Sequence, residues 1–166
     1  MELRVIAISA MRRVFTEIPY GIDHSLRVLK NAEKIMAGEN PTNKERQVVE
    51  LAAILHDIGA VEALRKYGSI AGNYQELEGP AMVRDILESA GASVELVERV
   101  CYIVGNHHTI EKINGLDFQI LWEADLLDSL ENGDSNPQGV ELQHKIEANF
   151  RTLTGKELAL KCCIKE

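Results

Sequence analysis

The segment Leu51-Ala-Ala-Ile-Leu-His-Asp-Ile-Gly59 decides how this chain folds, because a buried apolar run ends there in two ligand-type side chains. The run extends back through Val48 and Val49 with helical spacing, which predicts a helix buried near its C-terminal end. Gly59 is the residue type expected just past such an end. Asp57 would then lie among apolar neighbours at the negative end of the helix dipole, where a bare carboxylate is unfavourable. A bound cation would remove both penalties.

The bulk composition predicts one globular domain spanning residues 1–166. Apolar residues make up 45% of the chain and charged residues 27%, which is ordinary for soluble proteins. No apolar run is long enough to span a membrane, and the N-terminus lacks the pattern of a signal peptide. The net charge of −8 argues against a long nucleic acid as a partner. The three cysteines lack metal-binding spacing, and we interpret them as reduced thiols of a cytoplasmic protein.

Helical periodicity runs through nearly the whole sequence and predicts an all-α fold. A first helix is expected over residues 2–18, and a second, capped by Asp23, ends near Gly38. Thr42 or Asn43 is expected to cap the third helix, which leads into the segment quoted above. Further helices are predicted from Pro80 to Ala90, after Ser93, over about 118–130, over about 139–152, and from Gly155 onwards.

Two stretches of the sequence, residues 59–79 and 139–166, each have two possible interpretations. Residues 59–79 are the least regular part, with a short helix expected over Val61–Tyr67 and then a glycine-containing loop up to Pro80. Because this stretch leaves directly from Asp57, we interpret it as a lid or specificity wall, with a plain connector as the alternative. Residues 139–166 are expected either to pack on the bundle or to form a homodimer interface.

Further ligand-type side chains fall on helix faces that should be buried. His24 lies beside an apolar stripe, Asp125 shares a face with an aromatic series, and His107 and His108 extend a third stripe. A buried aspartate is almost always paired, yet Asp125 has no lysine or arginine within one helical turn. Imidazoles and carboxylates that converge from separate helices are the ligands a divalent ion requires. The pattern therefore predicts a metal site inside a helical bundle.

Each of these residues also has an ordinary structural alternative. A single buried histidine is often a core residue with its hydrogen bonds satisfied, and Asp23 and Asp125 are able to cap helices. Asp128 would then simply face water, and paired histidines near a helix end would stabilise its dipole. His144 lies on a polar stretch and is expected at the surface. The set as a whole favours the metal site, because four of the five histidines occupy such positions.

With His24, then the His56-Asp57 doublet, then Asp125, the chain resembles the HD superfamily of metal-dependent phosphohydrolases. The resemblance runs from about Gly21 to Leu130 and implies a compact helical bundle of the HD-domain type. It is reinforced by the phrases His56-Asp-Ile-Gly59, Glu78-Gly-Pro80, Gly105-Asn-His-His108 and Trp122-Glu-Ala-Asp125.

The resemblance implies that His24, His56, Asp57 and Asp125 ligate one divalent metal ion. Members with a second metal add three ligands between the doublet and the last aspartate, usually histidines. His107 and His108 match two of these, and Glu78 is the candidate for the third, since no histidine stands in the stretch before Gly79. Ions that suit mixed imidazole and carboxylate ligation are Mn²⁺, Mg²⁺, Co²⁺, Ni²⁺, Zn²⁺ and Fe²⁺.

The implied activity is metal-assisted hydrolysis of a phosphate ester in a nucleotide or another small phosphorylated metabolite. Asp57 would orient the attacking water, and Glu78, Glu62 and His108 are candidates for proton transfer. Arg27 and the Arg65-Lys66 pair are candidates for contacts with phosphate oxygens, although an ordinary surface role is favoured for them.

Two other functions remain open: a non-catalytic metal- and nucleotide-binding signalling module, and a di-iron oxygenase of the same fold. The sequence departs from the cyclic-di-GMP phosphodiesterase branch, since Ala60 stands where that branch has lysine and Thr109 follows the paired histidines. That substrate is therefore not carried over.

Overall fold

The structure, a computed structural model, describes residues 2–134 and 137–163, and within these ranges every regular element is a helix. The all-α prediction is confirmed. Short 3-10 turns follow the first helix and precede the seventh, at Phe15–Glu17 and Ile110–Lys112. The α-helices are α1 Leu3–Val14, α2 Tyr20–Glu39, α3 Asn43–Leu55, α4 Gly59–Tyr67, α5 Gly72–Ser89, α6 Val94–Val104, α7 Gly115–Asn132, α8 Gly139–Asn149 and α9 Leu153–Cys163.

Helix α3 is the centre of the bundle, because apolar side chains cover its whole circumference in the C-terminal half. All five residues from Leu51 to Leu55 are buried, and α1, α2, α6 and α7 pack around them. Thr42 caps the helix as predicted: its hydroxyl accepts from the Glu45 N–H, and its own N–H donates to the Glu45 carboxylate at 2.8 Å. A fixed start and an all-apolar end hold His56 and Asp57 at the core.

Several predicted helix ends differ from the observed ones. Helix α2 begins at Tyr20, so Asp23 lies in its first turn and is not its cap, and it ends at Glu39 with Asn40 in the left-handed region (φ 51°). Asparagine adopts this conformation more readily than most residues, which is why the helix runs past Gly38. The predicted cap of α6 is confirmed, since the Ser93 hydroxyl accepts from the Leu96 N–H at 3.3 Å.

The short helix expected over Val61–Tyr67 is confirmed as α4, but the glycine-containing loop expected from there to Pro80 is wrong, because α5 already begins at Gly72. Helices α4 and α5 are joined by residues 68–71 alone, and Pro80 lies inside α5 instead of starting it. A proline lacks the N–H that would bond four residues back, so sequence reasoning placed a helix start there. Packing of α5 against both α4 and α6 holds the helix together across this position. The lid interpretation therefore loses its structural basis.

Gly59 opens α4 instead of following the end of α3, and it does so where α4 touches α5. A Cβ atom on Gly59 would lie 2.5 Å from the Gln75 carbonyl oxygen and 2.7 Å from the Gly79 nitrogen. Both are backbone atoms and cannot rotate away. The two helices are therefore in backbone contact directly after the His56-Asp57 doublet.

The C-terminal helices are fastened to α7 by a buried carboxylate. Glu123 is fully buried and accepts from the backbone N–H groups of Arg151 (2.6 Å) and Thr152 (3.0 Å) and from the Thr152 hydroxyl. Helix α9 packs on α7 and α2. The described part of the segment 139–166 thus packs on the bundle, whereas a homodimer interface stays a prediction.

Two further sequence predictions concern the cysteines and the absence of a membrane span. The Cys101 thiol is buried and donates to the Pro80 carbonyl at 3.4 Å, whereas the reduced state of the thiols stays a prediction. The side chain of Cys163 and part of the loop after Gly133 lie outside the described residues. None of the described helices combines the length and apolarity that crossing a bilayer requires.

We predict that Gly59→Ala destabilises the protein by about 1–3 kcal/mol, because the new methyl group overlaps backbone atoms of α5. The measurement is urea-induced unfolding followed by circular dichroism. Gly79→Ala is the control: its Cβ would lie 2.8 Å from the Val104 Cγ1 atom, which belongs to a side chain, and 3.9 Å from the Gly59 nitrogen, which is an ordinary contact distance. A Gly59→Ala midpoint no lower than that of Gly79→Ala would contradict the backbone contact.

Candidate metal centre

Four side chains that are far apart in sequence converge at one end of α3. His24 comes from α2, His56 and Asp57 from the turn after α3, and Asp125 from α7. The Nε2 atom of His24 lies 3.1 Å from the His56 Nε2, 3.3 Å from an Asp57 oxygen and 3.3 Å from an Asp125 oxygen. Ligand atoms that each lie about 2.1 Å from a tetrahedral ion are about 3.4 Å apart. The observed separations therefore fit one shared ion.

Two histidines of the site are oriented by carbonyl groups at the ends of their own helices. The Nδ1 atom of His56 lies 2.9 Å from the Ala53 carbonyl oxygen, and that of His107 lies 2.7 Å from the Val104 oxygen. The last carbonyls of a helix lack intrahelical donors, and a carbonyl only accepts. Each Nδ1 therefore carries the proton, so that Nε2 is left with its lone pair directed at the cluster.

The Asp57 carboxylate lies between two groups of imidazoles. One oxygen is 3.3 Å from the His24 Nε2, and the other is 3.1 Å from the His107 Nε2. The His108 ring lies beside that of His107, with ring centroids 4.0 Å apart. The structure thus gathers two possible ligand groups that share Asp57, one with His24 and His56 and one with His107 and His108.

Glu78 does not join either group. Its carboxylate accepts from the Lys66 ammonium and from the Tyr67 hydroxyl, both at 2.8 Å. Two other side chains of α5 reach His108: the Gln75 amide oxygen is 3.4 Å from its Nε2, and the Glu76 carboxylate accepts from its backbone N–H at 2.8 Å. Because α5 starts at Gly72 and not at Pro80, the inward face of this helix carries Gln75. The expectation that Glu78 is a third ligand is therefore not supported by its position.

Asp128 is buried and does not face water, contrary to the ordinary alternative in the sequence analysis. One oxygen accepts from the His24 Nδ1 at 2.7 Å, and the other accepts from the Arg27 Nε at 2.6 Å and from the Asn132 amide at 3.0 Å. A carboxylate behind an imidazole fixes its tautomer and increases its basicity as a ligand. Asp128 therefore does for His24 what the helix carbonyls do for His56 and His107.

The three basic residues considered for phosphate contacts are all engaged by carboxylates. Arg27 pairs with Asp128, Arg65 with Glu62 and Lys66 with Glu78. These three side chains thus form ion pairs with carboxylates of the protein, and none of them is left free to contact a phosphate.

The charge state of the cluster without an ion shows what an ion would replace. Burial lowers the pKa of His24, but the hydrogen bonds to Asp125 and Asp57 outweigh burial and raise it to about 11. Burial lowers the pKa of His56, which keeps that imidazole neutral. A proton on His24 therefore balances part of the negative charge of the surrounding carboxylates. A metal ion held by His24, Asp57 and Asp125 would replace this proton in balancing the carboxylates.

The donor set fits a divalent ion by its chemistry as well as by its geometry. Three imidazole nitrogens with fixed tautomers and the carboxylates of Asp57 and Asp125 face a common region. Mixed nitrogen and oxygen ligation of this kind suits first-row divalent metals, without selecting one among those named above.

Sequence reasoning missed Asp128 and Gln75, and a signal existed for the first only. Arg27 lies one turn after His24 on α2, and Asp128 lies one turn after Asp125 on α7. If His24 and Asp125 face each other across the two helices, Arg27 and Asp128 should also face each other, as the ion pair between them shows. Gln75 was hidden because its inward orientation depends on where α5 begins.

The HD domain family profile matches residues 21–148. A predicted HD superfamily hydrolase from an uncultured Thermotogales bacterium is 24% identical, with 93% of this chain and 82% of that chain covered and a TM-score of 0.68. A protein from Listeria innocua is 19% identical, with 98% and 90% covered and a TM-score of 0.62. Among curated proteins no significant match is found.

We predict that Asp128→Asn weakens divalent-metal affinity about 10- to 100-fold, because the substitution removes the negative charge behind His24. The measurement is competition with a chromophoric chelator. Asp85→Asn, which removes an exposed carboxylate on α5, is the matched control and should retain the original affinity. Equal affinities of the two variants would show that Asp128 acts on the fold alone.

Proposed function

We propose that this chain, which belongs to the HD domain family, is a metal-dependent hydrolase that cleaves the phosphate ester of a small metabolite, nucleotides included. The observation that carries the proposal is the approach of His24, His56, Asp57 and Asp125 to within ligand distance of one point. Four such groups from three parts of the chain have no structural role that a simple apolar core would not fulfil better. The family resemblance supplies the reaction class, and the geometry supports it.

His24, His56, Asp57 and Asp125 would hold the divalent ion, which would polarise a phosphoryl oxygen of the substrate and lower the pKa of a nearby water toward ~7. Asp57 is the residue that orients the water, because its two carboxylate oxygens lie 3.3 Å from the His24 Nε2 and 3.1 Å from the His107 Nε2 and so face both imidazole groups. The neutral imidazole of His56 holds its position through the Ala53 carbonyl. The carboxylate of Asp125 completes the cluster from the opposite helix.

Proton transfer to the leaving group is assigned to His108. The other two candidates are committed elsewhere: Glu62 pairs with Arg65, and Glu78 pairs with Lys66. His108 is solvent-exposed, lies against His107 and lines the cavity beside the cluster. Partial burial lowers the pKa of His108, and its imidazole is a side-chain type that commonly transfers protons in catalysis.

We predict that the purified protein releases inorganic phosphate from phosphorylated metabolites only when loaded with a divalent metal. Treatment with EDTA should reduce the rate to background, and re-addition of Mn²⁺ or Co²⁺ should restore it, since the ion supplies the activated water. Asp57→Ala and His56→Ala should remain inactive after metal re-addition.

The matched control is His144→Ala, because His144 is the exposed histidine of α8 and lies outside the cluster. This variant should retain the original rate. Turnover in EDTA, or turnover by Asp57→Ala, would contradict a metal-dependent hydrolase. Tight binding of a nucleotide without turnover under any metal would favour the signalling module instead.

A further inference from the structure

Apolar side chains are exposed together on the hairpin that α4 and α5 form. Of the eleven large apolar residues exposed in the described part of the chain, four lie within residues 64–77: Leu64, Tyr67, Ile70 and Leu77. The other seven are distributed over the rest of the chain. Single exposed apolar residues are ordinary, whereas a cluster of them indicates a surface that another molecule covers.

The exposed residues lie around one pair of stacked aromatic rings. Tyr67 stacks on Tyr74, with ring centroids 4.3 Å apart and planes inclined by 13°. Leu64 lies one turn before Tyr67 on α4, and Leu77 lies one turn after Tyr74 on α5, so each leucine shares a helix face with its tyrosine. Ile70 lies in the connection between the two helices. We call these five residues the hairpin patch.

The polar groups beside the hairpin patch already have partners within the chain. The Tyr67 hydroxyl donates to the Glu78 carboxylate at 2.8 Å. Lys66 pairs with Glu78, and Arg65 pairs with Glu62. A molecule that covers the patch therefore leaves none of these groups without a partner, and the free-energy cost of burying polar groups stays small.

The charges around the hairpin patch indicate which partner fits it. Glu62 and Glu78 balance Arg65 and Lys66, so these two acids and two bases sum to zero. The whole net charge of −8 therefore belongs to the other residues of the chain. A charged partner finds no net charge to pair with at the patch, whereas two copies of the patch meet without repulsion. A closed dimer uses the same patch on both subunits in this way.

The size of the hairpin patch suits the centre of such a dimer interface. Its exposed apolar area is on the order of 300–400 Å², the size of the largest apolar patch on a typical monomer. One subunit contributes about 800 Å² to a standard interface, in which a polar rim surrounds an apolar centre. The paired charges on α4 and α5 supply that rim. Tyrosine is a residue type enriched at interface centres, and the patch contains two.

We propose that the hairpin patch is the interface of a homodimer, in which a second copy of this chain packs on the patch around a two-fold axis. The dimer is thereby assigned to α4 and α5 and not to the C-terminal segment 139–166, whose described part packs on its own bundle. Helix α4 begins directly after the His56-Asp57 doublet, so the interface lies on the hairpin that leaves the candidate metal centre. The proposal does not rest on the hydrolase activity.

The test is sedimentation velocity of the full chain over a range of protein concentrations. The wild-type protein should sediment with twice the chain mass and dissociate on dilution. The double variant Leu64→Lys/Leu77→Lys should raise the dissociation constant at least about 100-fold, because the two-fold axis brings like charges together in an apolar interface. Leu64 is 45% and Leu77 65% exposed in the single chain, so the variant should fold, which circular dichroism checks.

The matched control is Leu153→Lys, because Leu153 is 74% exposed and lies in the C-terminal segment, on α9. This variant makes the same exchange outside the hairpin patch and should retain the wild-type dissociation constant.

Three outcomes would overturn the proposal. The first is a wild-type protein that sediments as a monomer at every concentration, which leaves the patch to a different partner. The second is a dimer that Leu153→Lys dissociates and the double variant does not, which places the interface in the C-terminal segment. The third is a series of ever larger species, which excludes a closed two-fold arrangement. None of these measurements uses phosphate release, so the dimer and the hydrolase are tested separately.

Discussion

The orientation of the site depends on the hydrogen-bond acceptors of the Nδ1–H groups of its imidazoles. The Nδ1–H groups of His56 and His107 each donate a hydrogen bond to the carbonyl three residues earlier, at the end of a helix. The Nδ1–H of His24 donates to Asp128. Every helix leaves such carbonyls without donors, so the end of α3 and the end of α6 supply acceptors without any additional side chain. The position at which each helix ends therefore also sets the orientation of its histidine. If α3 or α6 ended one residue earlier or later, the imidazole would point away from the cluster.

The same cluster also accounts for carboxylates that a core would otherwise exclude. Asp57 follows the C-terminal end of α3, where the dipole is unfavourable, but it also precedes the N-terminal end of α4, where the dipole is favourable. The penalty predicted for Asp57 from α3 alone was therefore overstated. Asp57 and Asp125 still lie close together, so they require a nearby positive charge, from a protonated His24 or from an ion.

Much of the fold could be predicted, because strong local signals agree with tertiary packing. The apolar run of α3, the caps Thr42 and Ser93, and the inward faces of His24 and Asp125 all follow from periodicity and capping chemistry. The errors arose where packing overrides local preference. Proline favours the first turn of a helix, but Pro80 lies inside α5. Because the helix was predicted to start at Pro80, Glu78 was chosen as the ligand from this stretch, whereas Gln75 is the residue that lies beside His108. Asp128 was missed because its partners, His24 and Arg27, lie on another helix about 100 residues earlier.

Glu123 has a consequence for the order in which the protein assembles during synthesis. Its carboxylate is buried on the helix that carries Asp125, yet its backbone donors belong to Arg151 and Thr152. Gln119 of the same helix donates to this carboxylate, but the hydrogen bonds from Arg151 and Thr152 form only after those residues leave the ribosome. The helix that carries Asp125 therefore reaches its final position late, and the candidate metal centre is completed only near the end of translation.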